Sequence, residues 1–327
     1  MPSELPICKY VTPQGESCPN KSMGAGYCFW HDPKMDKSNM DLRDKLEDYA
    51  KDGGFLYGLK LKRANLAGIN LVRRGKSNGY DLSGSDFYRA NLANAHLFNL
   101  TMKDGSLMKA NLEHANLHCC DFEHSNLLGV KLEGARLDKI NIGTSLQQEI
   151  DGRAAEKNGD LDQALDNYEQ SEEIYRALRK ASERQGLLEM SGRFSHKELI
   201  MGRLLLPKYS GHRITSKCVD MLCGYGEKPL NVITFSISLI LICSLFYFSL
   251  GVMADGALTS LNFNNSLKQN FYDFASCLYF SVVTFTTLGY GDITPIGGSR
   301  IVAAFEAFTG SFTLALFVVV FVKKMTR

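Results

Sequence analysis

Two long apolar segments near the end of the sequence constrain the fold of this chain more than any other feature. Residues 231–253 contain no charged side chain, and residues 301–322 contain one, Glu306. A helix as long as the first segment rises about 34 Å at 1.5 Å per residue, which is enough to cross a bilayer. We therefore expect an integral membrane protein with two transmembrane helices.

The charges around these segments predict their orientation. Basic residues precede the first span and follow the second, and they are Lys208, Arg213, Lys217, Lys228, Lys323, Lys324 and Arg327. Because cytoplasmic flanks are enriched in lysine and arginine, we expect both flanks in the cytosol. The first residues, MPSELPICKY, lack the charged start and apolar core of a secretory signal peptide. The expected location is the plasma (inner) membrane, with two spans and both termini cytoplasmic.

A shorter segment between the two spans, residues 270–285, is aromatic and apolar but too short to cross the membrane. A half-crossing helix is tolerated only where protein buries it, as in a channel pore. This segment would place the sequence TTLGYGD within the membrane, where no water is available to hydrogen-bond the backbone carbonyls. Glycine reaches left-handed backbone angles without a Cβ penalty, so Gly289 and Gly291 allow successive carbonyls to aim at one axis. A dehydrated cation is the natural partner for such carbonyls.

The TTLGYGD stretch resembles the selectivity filter of potassium channels, and the spans around it are similar in order and length to two-transmembrane pores of the inward-rectifier and bacterial type. The resemblance covers residues 229–327 and implies a homotetramer with K⁺ in the filter. It assigns five residues to the filter, namely Thr287, Leu288, Gly289, Tyr290 and Gly291. We expect three further residues to support the filter, namely Thr286, Asp292 and Tyr279.

Two positions depart from the pattern of this family. Leu288 replaces the commoner valine, which is a mild change because the side chain faces away from the ion. Val283 stands where some members have a glutamate paired to the filter aspartate. Asp292 therefore needs another partner, and Tyr279 is the candidate.

Four residues of the second span are candidates for gating. Gly310 falls where the resemblance implies a hinge, although a mid-span glycine equally permits close packing. Glu306 is costly in lipid and should face protein, and we favour a hydrogen bond behind the filter over a role in ion conduction. Phe317 and Phe321 share a face and could narrow the inner mouth of the pore or pack against lipid.

A repeat of period five occupies residues 54–144, interrupted by VRRGKSNGYD. Large apolar side chains recur at every fifth position, and a small residue stands two positions before most of them. Neither the helical period of 3.6 nor the strand period of 2 fits this spacing. A square coil does, because each five-residue side points one large and one small side chain inward and successive turns stack like strands. Segments such as RANLANAHL resemble the pentapeptide-repeat family, which implies a right-handed quadrilateral β-helix.

Three cysteines and one histidine cluster near the start of the chain as Cys8, Cys18, Cys28 and His31. Three thiolates and an imidazole satisfy tetrahedral zinc, and the spacing resembles small Cys3His knuckles such as the plant WRC type. The segment is too short to bury a core, so metal would supply its folding energy. We predict a structural Zn²⁺, with unrelated free cysteines as the alternative. The odd count of nine cysteines does not indicate a disulfide framework.

Residues 145–211 show helical periodicity, and GDLDQALDNYEQS resembles one tetratricopeptide hairpin. A peptide-binding groove is the functional interpretation, but we favour a structural connector because no second repeat follows. The predicted fold is a multidomain membrane protein with the following parts: a zinc knuckle (1–35), a helical spacer (36–53), a β-helix (54–144), a helical tetratricopeptide-like connector (145–211), an interfacial helix (212–228) and an all-α two-transmembrane pore with a re-entrant pore helix (229–327).

The predicted function is passive, selective K⁺ conduction by a homotetramer in the lipid bilayer, modulated by the cytoplasmic pentapeptide-repeat domain. A cytoplasmic ligand or protein would act on that domain. The alternatives are a membrane-tethered repeat scaffold that the pore segment tetramerises, and a weakly selective cation channel. An enzyme is not expected, because no nucleophile and base pair or phosphate loop is visible. Nucleic acid is not an expected partner, since only Lys9 and Lys21 are basic within the knuckle.

Overall fold

The computed structural model describes residues 6–23, 25–254, 256–263 and 265–325. Arg327, which was counted among the basic residues after the second span, lies outside these ranges. The chain divides into two compact units, Met1–Ser210 and Gly211–Arg327. Each unit has its own elements and its own core.

A four-sided coil forms most of the first unit. Parallel bridges join residues 20 positions apart, such as Asp86 to Ser106 and Asn116 to Arg136. Every fifth residue from Arg89 to His124 is left-handed, with φ between 52° and 60°. Left-handed angles are unfavourable for residues other than glycine, so stacking of the coil imposes these corners. The predicted β-helix is therefore present.

The interruption of the repeat is an insertion at one corner of the coil. Bridges formed before it, such as Lys60 to Asp86 and Asn70 to His96, join residues 26 positions apart instead of 20. Leu71 before the insertion and Leu82 after it are both buried. The apolar column therefore continues past the insertion, and the additional residues lie outside it.

Both ends of the coil are covered by other parts of the same unit. At the first end, the Lys60 amide donates to the Trp30 carbonyl at 2.8 Å. At the other end, the Gln185 side chain accepts from the Leu137 amide at 2.9 Å and donates to the Ala135 carbonyl at 2.5 Å. Covering these edges satisfies backbone groups that would otherwise pair with another chain.

Four helices complete this unit: α1 (Arg43–Lys51), α2 (Gln147–Asn158), α3 (Leu161–Arg184) and α4 (Leu188–Leu205). The αL residue Gly159 ends α2, and Asp160 caps α3 by accepting from the Gln163 amide. The Tyr175 hydroxyl donates to the buried carboxylate of Glu149 at 2.8 Å. The helical connector is present as expected, while its tetratricopeptide character remains a prediction.

The second unit contains α5 (Gly211–Cys223), a 3-10 turn (Gly224–Gly226), α6 (Pro229–Leu250), α7 (Leu267–Phe285) and α8 (Ser299–Met325). Helices α6 and α8 are long and apolar enough to cross a membrane. Helix α7 is the predicted pore helix and packs against both of them.

The expectation of an all-α pore is wrong in one respect. Three strands, β1 (Val252–Ala254), β2 (Ala257–Thr259) and β3 (Ile293–Pro295), form an antiparallel sheet in the order β2-β1-β3. Each strand has three residues, which is too few for an alternating pattern to be visible in the sequence. The sheet ties the segment after the TTLGYGD stretch to the end of the first span.

Candidate ion pathway and metal centre

The TTLGYGD segment leaves α7 through a tight turn. Thr286 is the C-cap of α7, and the Leu288 amide donates to the Val283 carbonyl at 3.0 Å. The C-terminal end of a helix carries partial negative charge from its unsatisfied carbonyls. The end of α7 therefore provides an environment that favours a cation next to this segment.

Alternate residues of the segment adopt left-handed backbone angles. Thr287, Gly289 and Gly291 have φ values of 58°, 57° and 82°. This alternation is the backbone pattern expected from the sequence for carbonyls that aim at a common axis. The intervening side chains of Leu288 and Tyr290 are exposed in the single chain. In one copy, the segment therefore lacks most of the packing contacts that a rigid ion site needs.

Asp292 follows the second glycine and interacts with the Tyr279 hydroxyl of α7. This is the partner that the sequence suggested in place of a glutamate at position 283. The contact joins the outer end of the segment to the pore helix.

A buried carboxylate connects the three main helices of the second unit. Glu306 of α8 is fully buried and accepts from the Tyr247 hydroxyl of α6 at 2.6 Å and from the Ser281 hydroxyl of α7 at 2.5 Å. The Ser281 hydroxyl also lies 2.9 Å from the Ile240 carbonyl. Glu306 therefore occupies a position behind the pore helix, with both carboxylate oxygens engaged.

Gly310 lies four residues after Glu306 and permits a close helix contact. A Cβ built at Gly310 would stand 2.1 Å from the carbonyl oxygen of Phe285, the last residue of α7. The absence of a side chain thus brings α8 directly against the base of the TTLGYGD segment. This geometry supports the packing interpretation of the glycine.

The other two gating candidates lie at the far end of α8. Phe317 is partly buried and packs against a small apolar cluster of Cys223, Val232 and Val320. Its ring also stacks on Phe321, with centroids 5.5 Å apart. Phe317 therefore contributes to packing among helices of its own chain.

The four predicted zinc ligands converge at the start of the chain. The potential ligand atoms of Cys8, Cys18, Cys28 and His31 lie within 4.8 Å of one another, and all four residues are buried. The Cys18 and Cys28 sulfurs are 3.9 Å apart, close to the spacing of about 3.8 Å that tetrahedral Zn–S bonds of 2.3 Å impose. The His31 Nδ1 lies 3.7 Å from the Cys8 sulfur and 3.2 Å from the Cys28 sulfur.

Hydrogen bonds around this cluster orient its members. The other imidazole nitrogen of His31, Nε2, lies 2.8 Å from the Tyr57 carbonyl, which fixes Nδ1 as the nitrogen free to bind a metal. The Tyr10 ring stacks on the imidazole with centroids 4.3 Å apart. Burial raises the pKa of the Cys18 thiol to about 12 and lowers the pKa of His31. The site therefore disfavours free thiolates but could bind a metal that stabilises them.

Comparison with protein families finds matches to two segments of the chain. Residues 234–327 match the family described as ion channel, and residues 106–142 match the family described as pentapeptide repeats (8 copies). The chain carries an ion-channel segment and pentapeptide repeats. The channel match includes most of the first span, the TTLGYGD stretch and the whole second span, so the recognition of a two-transmembrane channel with a repeat domain is confirmed.

Among the solved structures that match the repeat region, three pentapeptide repeat proteins each have 26% sequence identity. HetL from the cyanobacterium Nostoc sp. strain PCC 7120, described as involved in heterocyst differentiation regulation, matches 27% of this channel chain with a TM-score of 0.16. The match covers 57% of HetL. The protein alr5209 from Nostoc PCC 7120 matches over 29% of this chain and 74% of its own, with a TM-score of 0.18. Rfr23 from Cyanothece 51142 matches over 27% of this chain and 84% of its own length, with a TM-score of 0.13.

No curated protein matches the channel chain significantly. The chain spans little more than half of the length of HetL. The activities and partners of these relatives are therefore not carried over to it.

Sequence reasoning missed several residues of the channel segment that complete the sites. Tyr247 and Ser281 hold the Glu306 carboxylate, although they are 59 and 25 positions away in the chain. A signal for them exists, because a hydroxyl or carboxylate inside an apolar span must find a partner. The sequence does not show which hydroxyl meets which carboxylate.

Proposed function

We propose that four copies of this channel segment form one pore that conducts K⁺ passively and selectively. The observation that supports this proposal is the alternation of left-handed angles at Thr287, Gly289 and Gly291. Backbone carbonyls of Thr287 to Tyr290, together with the Thr287 hydroxyl, would replace the hydration shell of the ion. Asp292 and Tyr279 would hold the outer end of the filter, and Thr286 its base.

The number four comes from the resemblance to potassium channels, and the surfaces that one copy leaves exposed support a need for further copies. The filter segment carries exposed side chains at Leu288 and Tyr290, and α8 presents exposed rings at Phe305, Phe308 and Phe312. Carbonyls from one chain can surround an ion on one side only, so selectivity requires further copies around the axis. The exposed rings would then contact neighbouring subunits or lipid.

Reconstitution of the purified chain in liposomes tests the proposal. We expect a K⁺ flux that Ba²⁺ blocks and that Gly289→Asp abolishes, because the aspartate has a Cβ and a charge at a left-handed position of the filter. Gly256→Asp is the matched control, since Gly256 also has a positive φ of 79° but lies in the turn between β1 and β2. The control variant should conduct like the parent.

Two other outcomes would separate the competing functions. An intact tetramer without K⁺ flux would favour a membrane-tethered scaffold. Reversal potentials near zero in mixed K⁺ and Na⁺ would indicate a weakly selective cation channel. Either result would refute selective K⁺ conduction.

We propose that the N-terminal unit modulates the pore from the cytosol, with both termini on that side of the plasma membrane. Lys323 at the end of α8 forms a 2.8 Å ion pair with Glu227, which precedes α6. Glu227 follows the 3-10 turn Gly224–Gly226 at the end of α5, and α5 is the first element after the N-terminal unit. A ligand or protein that moves the N-terminal unit could therefore act on the end of α8 through this ion pair. The gate would lie at that end of α8, near Phe321.

We also propose that Cys8, Cys18, Cys28 and His31 bind one structural Zn²⁺ per chain. Four buried ligand atoms in one cluster support a closed tetrahedral site without an open position for substrate. Elemental analysis of the purified protein should find about one zinc per chain. A folded chain without bound metal would refute this site.

A further inference from the structure

A buried lysine lies beside the metal centre without a carboxylate to pair with. Lys37 has no exposed surface, and its ammonium donates to the backbone carbonyls of Asp32 at 3.2 Å and Lys60 at 2.6 Å. The Asp32 carboxylate accepts from the Lys34 amide at 2.8 Å and acts on the Lys37 ammonium electrostatically, without forming an ion pair with it. Among the described residues, Lys37 forms no ion pair.

Burial of such an ammonium is unfavourable unless a negative charge lies close to it. Lysines are almost never fully buried without a partner. Carbonyl dipoles satisfy the hydrogen bonds of Lys37 but do not neutralise its charge. Because the Asp32 carboxylate lies beyond ion-pair distance, a second source of negative charge nearby would further stabilise the buried ammonium.

The metal centre can supply that charge. Three thiolates, one neutral imidazole and one Zn²⁺ carry a net charge of −1. Lys37 interacts electrostatically with Asp32 and, more weakly, with Cys28, and both Lys37 and Lys60 act on His31. The buried cation and the buried anionic centre therefore lie within electrostatic range of each other.

The same lysine connects the knuckle to the β-helix. Its two carbonyl partners belong to Asp32, which follows the ligand His31, and to Lys60 of the first coil. His31 reaches the same coil through its contact with the Tyr57 carbonyl. A neutral pair of lysine and metal centre would thus stabilise the end of the coil as well as the site.

We infer that Lys37 is the charge partner of an anionic Cys3His zinc centre and that the pair fastens the knuckle to the first coil. This inference rests on the proposed zinc site and adds to it a residue that does not bind the metal. It predicts that the contribution of Lys37 to zinc affinity depends on the net charge of the four metal ligands.

Zinc affinity of the purified full chain, measured by competition with a chromogenic chelator, tests the inference. Lys37→Met should weaken zinc binding about 10- to 100-fold, which is the usual effect of losing a residue that supports metal ligands. Lys34→Met is the matched control, because Lys34 is exposed and lies in the same loop. The control should bind zinc like the parent.

A variant whose zinc centre has no net charge separates the effect of the Lys37 charge from the effect of its packing. Cys8→His converts the site to Cys2His2, whose net charge with Zn²⁺ is zero. In this background Lys37→Met should change zinc affinity by no more than about twofold, the usual limit for independent sites. If Lys37→Met prevents folding of the parent, Cys8→His should restore folding.

The possible failures are distinguishable. Three results would overturn the role of Lys37 and leave the zinc site standing. They are equal losses of zinc affinity in the parent and Cys8→His backgrounds, unfolding of Lys37→Met in both backgrounds, and an unchanged zinc affinity of Lys37→Met in the parent. A parent chain that binds no zinc would refute both the zinc site and the inference. None of these results would affect the proposed pore, which the K⁺ flux measurement tests separately.

Discussion

At the scale of single residues, Glu306 shows how one polar side chain in an apolar helix organises its surroundings. Its carboxylate accepts from Tyr247 and Ser281, so two neighbouring helices share one acceptor group. A hydrogen bond to a charged group contributes more than one between neutral groups, and an unsatisfied buried group is costly. Glu306 therefore joins α6, α7 and α8 as a structural clamp, with both carboxylate oxygens held by hydroxyl groups of the same chain.

Removing one hydroxyl should weaken this clamp. Tyr247→Phe leaves one carboxylate oxygen of Glu306 without its donor, and we expect a loss of roughly 1–3 kcal/mol in the unfolding free energy of the pore unit. Denaturant unfolding in detergent micelles measures this loss. Tyr272→Phe is the control, because Tyr272 is exposed in the single chain. This substitution should change the unfolding free energy by close to zero. Equal effects of the two substitutions would contradict the clamp.

At the scale of secondary-structure elements, close packing of α8 on α7 depends on the missing side chain of Gly310. The nearest neighbour is a backbone carbonyl, which cannot rotate away as a flexible side chain could. Any side chain there must displace one helix relative to the other. The base of the filter would move with the end of α7.

Gly310→Ala should therefore destabilise the pore unit by roughly 1–3 kcal/mol, the usual cost of overpacking, and reduce K⁺ flux. Gly298→Ala is a matched control, because a Cβ at Gly298 would stand 3.6 Å from the Leu250 side chain, an ordinary contact. Thermal unfolding and liposome flux measure the two effects. A Gly310→Ala channel with normal stability but altered opening would favour a hinge instead.

At the scale of the whole molecule, the division into two units predicts two separable transitions. Each unit has its own buried apolar cluster, so unfolding should not be a single two-state process. The one tryptophan of the chain, Trp30, is buried in the knuckle between Cys28 and His31. Its fluorescence therefore reports on the N-terminal unit alone.

Removal of metal should affect only one of these transitions. A zinc chelator should lower the melting temperature seen by Trp30, by about 2–4 °C for each kcal/mol of lost stability in a unit of this size. The K⁺ flux without added ligand should remain. Parallel loss of flux would show that the two units do not fold independently, and an unchanged Trp30 transition would count against a structural metal.

The sequence by itself determined the features that repeat or persist along the chain. The apolar runs, the period of five, the Cys3His spacing and the TTLGYGD segment each depend on residues close together in sequence. Local geometry converts such patterns into a span, a coil, a knuckle or a turn with left-handed glycines. The β-helix and the two-span channel segment were therefore predictable.

Only the tertiary structure decided which distant side chains meet. The partners of Glu306, the contact between Gly310 and Phe285, and the buried position of Lys37 depend on how elements cross each other. The pairing of β3 with β1, next to the TTLGYGD segment, likewise joins segments that are distant in sequence. No local pattern specifies these contacts, because a helix or strand of the same sequence can present its polar groups to several neighbours. The packing of the folded chain decides which of these neighbours each polar group contacts.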